Sequence, residues 1–398
     1  MATALSCKTT ATEAGRRLEL ADIFRARGAE YRRSRFVSDA QRKVMRAVEI
    51  CRTPALGGQL ERCDCCGIQR AVYHSCRNRH CPKCQTLAKE RWLEVQRARL
   101  LPVDYFHVVF TLPHELNPLA ESQPRFLYDL LFRCATETLR VFGEDPKHLG
   151  GSLGITAVLH TWSQTLSRHV HLHCLVTGGA LAPDGSTWQP ARKGYLFPVR
   201  ALSRVFRGKC LDRLTRAREQ GLVTDAELPP AARRRLTRHD WVVYCKAPMA
   251  GPTQVLDYLA RYTHRVALSN NRLIDHRDGR VSFRYRNRAR GNRQGTMNLE
   301  VDEFIERFLL HVLPKRFVRI RHYGLHANRN GAKLDRAREL LGQPPPESPQ
   351  PEKPEDALQR LTGRDILRCP HCQRGQMVSV RPLRTGEVFH PLEPPDTS

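Results

Sequence analysis

No stretch of the 398-residue chain approaches 18 consecutive apolar residues, the length that a bilayer-spanning helix requires. The opening segment MATALSCKTTATEAGRRLEL also lacks the apolar core of a secretory signal. A cytoplasmic, reduced setting with no membrane partner is therefore expected. Internal repeats are missing, which argues against a solenoid. Acidic residues are in short supply: 40 Asp and Glu stand against 66 Lys and Arg, giving a formal charge of +26. The deficit is spread along the whole chain. Such a field excludes most polycationic partners and favours polyanions, nucleic acid first.

Cysteine is what the chain has in excess. There are 14, and six of them fall between residues 63 and 84. In a reduced compartment this density indicates metal rather than disulfides. The segment RCDCCGIQRAVYHSCRNRHCPKCQ contains Cys63-x-x-Cys66 and Cys81-x-x-Cys84. Two such knuckles supply the four soft donors of a tetrahedral zinc ion. Cys65, Cys76 and His80 are additional candidates, as substitutes or as supporting groups. A structural zinc here would fold a small module and turn Arg70, Arg77 and Arg79 toward a phosphate backbone. The later CPHCQRGQM offers one further pair, Cys369 and Cys372, with no second pair after it. His371 or His390 could complete that half-site, but metal is not expected there.

Hydrophobic periodicity divides the rest. Residues 11–51 read as helical, with Leu20, Ile23, Phe24, Val44 and Val48 on the apolar side. QTLAKERWLEVQRARL, from Gln85, reads as a helix stopped by Pro102. Strands are expected at 105–113, 154–162, 168–179 and 241–248, and helices at 125–142, 253–268 and 301–313. RLIDHRDGRVSFRYRNR (272–288) has the form of a hairpin turning at Asp278-Gly279. Its Phe283 and Tyr285, set among arginines, are candidates to stack on bases. GQPPPESPQPEKPEDA (342–357) is a proline-rich linker. The expected division is an N-terminal helical and zinc-binding DNA-binding domain at 1–100, a catalytic domain at 101–341, and a linker with a short tail at 342–398. Strands separated by helices with long insertions give an α+β fold.

RHVHLHCLVTGG (168–179) places His169, His171 and His173 at alternate positions. Residues two apart on a strand share a face, so His171 and His173 can hold one divalent ion while Leu172 enters a core. In QVLDYLARYTHR, Tyr258 and Tyr262 are four apart and share a helix face, which Gln254 joins. Arg261, His264 and Arg265 surround them with donors suited to phosphate. A tyrosine hydroxyl is a poor nucleophile at neutral pH. A cation on the two histidines would polarise the phosphodiester under attack, and the product would be a covalent phosphotyrosine.

The order of the cysteine module, HVVFTLPHELN (107–117), HLHCLVTGG (171–179), YLARYTHRVALSNNRL (258–273) and FVRIRHYG (317–324) resembles the rolling-circle insertion-sequence transposases. These use HUH endonuclease chemistry and carry an N-terminal zinc-binding domain. The resemblance runs from about residue 15 to about residue 345. It implies an HUH-type core with a central antiparallel sheet flanked by helices. It implies cleavage of single-stranded DNA at element ends and target, with a 5′-phosphotyrosine intermediate and a free 3′-hydroxyl. It assigns His171 and His173 to the catalytic metal, with magnesium or manganese as the ion. It assigns Tyr258 and Tyr262 to the nucleophiles, and Cys63, Cys66, Cys81 and Cys84 to zinc. For the third catalytic-metal ligand the candidates are Gln254, His107 and His169, in that order. A homodimer is compatible with this reading. The competing readings are a rolling-circle replication initiator or relaxase, against which stands the lack of a helicase segment, and a non-catalytic zinc-dependent DNA-binding protein derived from a transposase.

Overall fold

The alternation of histidine with Val170, Leu172 and Cys174 does produce a strand, and in the computed structural model of the chain that strand is the middle one of the largest sheet. The structure describes residues 17–249, 254–255, 267–287, 291, 293–345 and 352–390.

The chain begins with α1 (Leu20–Ser34) and α2 (Asp39–Glu49). Ser38 starts α2 through a capping box. Its hydroxyl accepts from the Gln41 amide, and the Gln41 side chain accepts from the Ser38 amide at 2.9 Å. Leu20, Ile23, Phe24, Val44 and Val48 are all buried, as their spacing requires. A hairpin of β1 (Gly58–Cys63) and β2 (Gln69–Tyr73) and helix α3 (Gln85–Arg97) follow.

The central body comprises β3 (Tyr105–Thr111), α4 (Asn117–Ser122), α5 (Pro124–Glu144), β4 (Gly154–Trp162) and β5 (Arg168–Thr177). It continues with a small hairpin, β6 (Gly179–Leu181) and β7 (Trp188–Pro190), then α6 (Val199–Glu219), α7 (Pro230–Arg238) and β8 (Val243–Met249). A three-stranded meander follows, β9 (Leu273–Arg277), β10 (Arg280–Asn287) and β11 (Arg293–Glu300), and runs into α8 (Val301–Leu309). The last elements are β12 (Ile320–Gly324), α9 (Gly331–Leu340), α10 (Pro354–Thr362) and β13 (Met377–Leu383).

The main sheet has the order β12-β4-β5-β3-β8, with every neighbouring pair antiparallel. One face carries Phe106, Val108, Phe110, Leu159, Leu172 and Val176, packed with apolar residues of α5 and α6 into the largest core. Burying each of these side chains contributes roughly 1.5–3 kcal/mol. The strand period sends the alternate residues, His107, His160, His171 and His173, to the opposite face. Further along that face Tyr105 and Leu175 cluster with Leu93, Leu100 and Val255. The expected α+β class with a central antiparallel sheet flanked by helices is what the chain forms.

Two expectations need correction. The short tail expected beyond the linker contributes a strand to the N-terminal hairpin: β13 pairs antiparallel with β1, giving a second sheet in the order β13-β1-β2. Phe283 does not face nucleic acid. The hairpin turns where expected, with Asp278 and Gly279 both at positive φ. Alternation along β10 nevertheless directs Val281 and Phe283 inward, where both are fully buried. Phe283 meets Phe304 of α8 edge-on, with ring centroids 5.9 Å apart, and the Arg272 guanidinium lies over its other side. Tyr285 is half-buried near the end of the strand. The Phe283→Ala variant is therefore expected to lose about 3–5 kcal/mol of stability in urea unfolding, while the folded variant keeps its affinity for single-stranded DNA. A loss of affinity without a loss of stability would return Phe283 to the DNA surface.

Candidate metal centre and nucleic-acid cleft

The register of the central strands builds a histidine cluster. His160 on β4 lies directly opposite His171 on β5, and His173 is one step further along the same face, opposite Val158. The candidate ligand atoms of His160, His171 and His173 lie within 4.8 Å of one another. An ion with bonds of about 2.1 Å to imidazole nitrogen would draw them together by small side-chain movements.

Hydrogen bonds orient two of these rings. His171 Nδ1 donates to the His169 carbonyl at 2.7 Å. His173 Nδ1 lies 2.8 Å from Nε2 of His107, whose ring stacks on that of His173. Burial, with a smaller effect from Lys246, pushes the His107 imidazole down to about 3; with His173 in the tautomer that carries its proton on Nδ1, His107 Nε2 is the acceptor. Both His171 and His173 would then ligate through Nε2. This is the usual arrangement for a metal-bound imidazole, whose second nitrogen is held by an outer partner. The His160 ring stacks on Trp162 at 4.7 Å.

The cluster opens into a cleft of about 420 Å³ lined also by Trp162, Gln164, Tyr285 and Arg286. Three imidazole donors beside an open cleft suit a divalent cation that keeps positions for water or a phosphate oxygen. Magnesium or manganese, expected from the sequence, is compatible with that donor set, and so are other divalent ions.

The third histidine is one that the sequence reading passed over. His160 sits in GITAVLHTW, a segment that reads simply as a strand. Among the three residues expected to complete the site, His107 supports His173 from behind. His169 is exposed, and it is its carbonyl that engages His171. Gln254 is exposed at a helical position. Tyr258 and Tyr262, with Arg261, His264 and Arg265, lie outside the described residues. The neighbouring Val255 is buried against Tyr105 and Leu175, on the face of the sheet that bears the histidines.

The cysteines form two quartets where one was expected. Cys63 and Cys66 do not share a site with Cys81 and Cys84. Cys81 and Cys84 gather with Cys51 and Cys76, while Cys63 and Cys66 gather with Cys369 and Cys372, and in each set the sulfurs lie within 4.8 Å of one another. In the first quartet Cys84 Sγ stands 3.4 Å from Cys51 Sγ and 3.5 Å from Cys76 Sγ. A tetrahedron with 2.3 Å bonds would place sulfurs roughly 3.8 Å apart. The first quartet thus fits a zinc ion. His80 is outside it: it is half-buried, and its Nε2 accepts from the Leu313 amide at 3.5 Å. Cys51 was overlooked because it precedes the dense segment and has no knuckle partner of its own.

Comparison with known proteins gives the class first. A family model described as "Putative transposase" matches residues 154–333, and one described as "Transposase zinc-binding domain" matches residues 23–112. Two curated relatives then narrow it. The chain is 49% identical over 376 residues to "Putative transposase y4qJ" of Sinorhizobium fredii, covering 91% of this chain and 94% of that one. It is 29% identical over 307 residues to the transposase for insertion sequence element IS801 of Pseudomonas savastanoi pv. phaseolicola, covering 73% of this chain and 71% of that one. No solved structure matches. The chain belongs to the IS91/IS801-type transposase family and carries that family's N-terminal zinc-binding domain. Among the described residues no helix is long and apolar enough to cross a membrane.

Replacing His160 with Ala is expected to weaken manganese binding at the histidine cluster at least tenfold, measured by electron paramagnetic resonance titration. His169→Ala, which keeps the backbone carbonyl, should change it less than threefold. The reverse ranking would make His169 the third ligand.

Proposed function

We propose that this transposase nicks and rejoins single-stranded DNA through a 5′-phosphotyrosine intermediate, in rolling-circle-type transposition of its insertion sequence. The observation that carries this reading is the convergence of His160, His171 and His173 on an open cleft beside Arg286 and Tyr285. The start of the tyrosine-bearing segment, at Val255, is buried on the same sheet face.

A divalent ion at the three imidazoles would supply Lewis-acid polarisation of a non-bridging phosphate oxygen. The chain's own groups do the rest. Arg286 and the arginines of the tyrosine segment would neutralise the backbone and seat the scissile phosphate. Tyr285 offers a face for an unpaired base. The Oη of Tyr258 or Tyr262 attacks phosphorus and gives up its proton. The bond to the 3′-oxygen breaks, and that oxygen leaves as a 3′-hydroxyl once protonated. The phosphotyrosine keeps the bond energy, so a 3′-hydroxyl can later attack it and release the tyrosine. Two tyrosines would allow two successive transfers. Membership of a transposase family favours transposition over replication initiation or relaxase activity, and the complete histidine cluster favours an enzyme over a binding protein.

The Tyr258→Phe, Tyr262→Phe double variant should form no covalent adduct with a labelled single-stranded element end, while binding it with affinity within about twofold of the parent. Each single variant resolves the roles. In a sequential scheme one stalls as an adduct and the other fails at the first cut. Adduct formation by the double variant would refute the assignment. Binding itself should fall steeply as salt rises, since arginine contacts release counterions.

A further inference from the structure

We propose that Cys63, Cys66, Cys369 and Cys372 hold a second structural zinc ion, which clasps the C-terminal segment onto the N-terminal module. The family's zinc-binding domain ends at residue 112 in the match, so half of this site lies far outside it.

The two cysteine pairs are built alike. Each is a Cys-x-x-Cys knuckle followed by a residue at positive φ, Gly67 at 73° and Gln373 at 57°. In each, the amide of that residue donates to the carbonyl of the first cysteine, Gly67 to Cys63 and Gln373 to Cys369, both at 3.1 Å. Backbone amides are also aimed at sulfur: Cys66 N–H at Cys63 Sγ and Gly375 N–H at Cys372 Sγ, both 3.4 Å. Amides placed this way stabilise a thiolate rather than a thiol. Across the two knuckles Cys63 Sγ lies 3.7 Å from Cys372 Sγ, and Cys66 Sγ lies 3.7 Å from Cys369 Sγ. These separations match a tetrahedral thiolate site and far exceed the roughly 2.05 Å of a disulfide. The approach is close enough to require glycine at 375, where a Cβ would come within 2.7 Å of Cys63 Sγ.

The surroundings explain why an ion is needed. Among the described residues the apolar cluster here joins Cys63, Cys369 and Met377 with Ile68 and Cys372, so the ligands themselves make up most of the core. Modules of this kind take their folding energy from the metal. Chain contacts bring the halves into register. Asp64 N–H donates to the Gln376 carbonyl at 3.0 Å, and Gln376 N–H returns to the Asp64 carboxylate at 2.8 Å. Arg70 of β2 donates to the Ile366 carbonyl at 2.8 Å. An ion closing a loop of some three hundred residues would also remove chain entropy from the unfolded state.

The test uses the full chain with His171→Ala and His173→Ala, so that the histidine cluster contributes no ion. Elemental analysis should find two zinc ions per chain, falling to one when Cys369→Ser and Cys372→Ser are added. Amides of β1 and β13 should then lose hydrogen-exchange protection while β3 to β5 keep theirs. An unchanged zinc content, or one zinc in the parent, overturns the proposal. Should the cysteine variant fold poorly, alkylation of the unmutated chain decides. Exposed Cys65 should react at once, whereas Cys66 and Cys372 should react only after a strong chelator is added. Prompt alkylation of all three without chelator also overturns it. Neither arm reads strand cleavage, so the outcome is independent of the proposed reaction.

Discussion

Three imidazoles can meet at one point only while β4 and β5 hold their register. A slip of one residue would turn His171 and His173 into the apolar core and bring Leu172 to the cleft. That register is fixed from behind, by Leu159 and Leu172, which face each other across the two strands and are buried under α5 and α6. Stability and site therefore depend on the same pairing. The histidine face is refined by hydrogen bonds to His107 and to the His169 carbonyl, which choose the nitrogen each ring presents. Strand pairing sets the positions of the three imidazoles, and the cleft beside them is open.

Much of this is legible in the sequence. Periodicity placed the main helices and strands, because Leu20, Phe24, Leu172 and their neighbours answer to local spacing alone. The Asp278-Gly279 turn announced its hairpin for the same reason. What escaped notice depends on pairing between distant segments. His160 has no histidine neighbour within its own strand, and only the β4–β5 register brings it to His171. The cysteines mislead in the same way. Four knuckle cysteines close in sequence suggest one ion, but Cys369 and Cys372, just ahead of β13, gather with Cys63 and Cys66. Phe283 was misplaced because an alternating strand reads the same whichever face is covered, and only α8 decides which one is.

The arginine excess also has two uses that composition cannot separate. Several of these side chains bind the protein itself. Arg79 donates to the Phe317 carbonyl at 2.6 Å and also to that of Pro314. Arg307 reaches the Thr165 carbonyl, Arg272 those of Gln164 and Arg284, and Arg338 that of Ala98. A guanidinium has five donors in a rigid fork, which suits it to tying loops to one another. Arg319 goes further. It is buried deeply enough for desolvation to lower its guanidinium to about 10. Part of the charge of +26 is thus structural, and the remainder forms the field that would meet DNA.

The pairing of β13 with β1 fixes an order of events during synthesis. The first hairpin leaves the ribosome long before the strand that completes its sheet, and translation proceeds at roughly 5–20 residues per second. Through that interval β1 presents an unpaired edge, and Cys63 and Cys66 are without their counterparts. The central sheet can form meanwhile, since its strands lie between the two. The β13-β1-β2 sheet can therefore be completed only after every strand of the central sheet has been made.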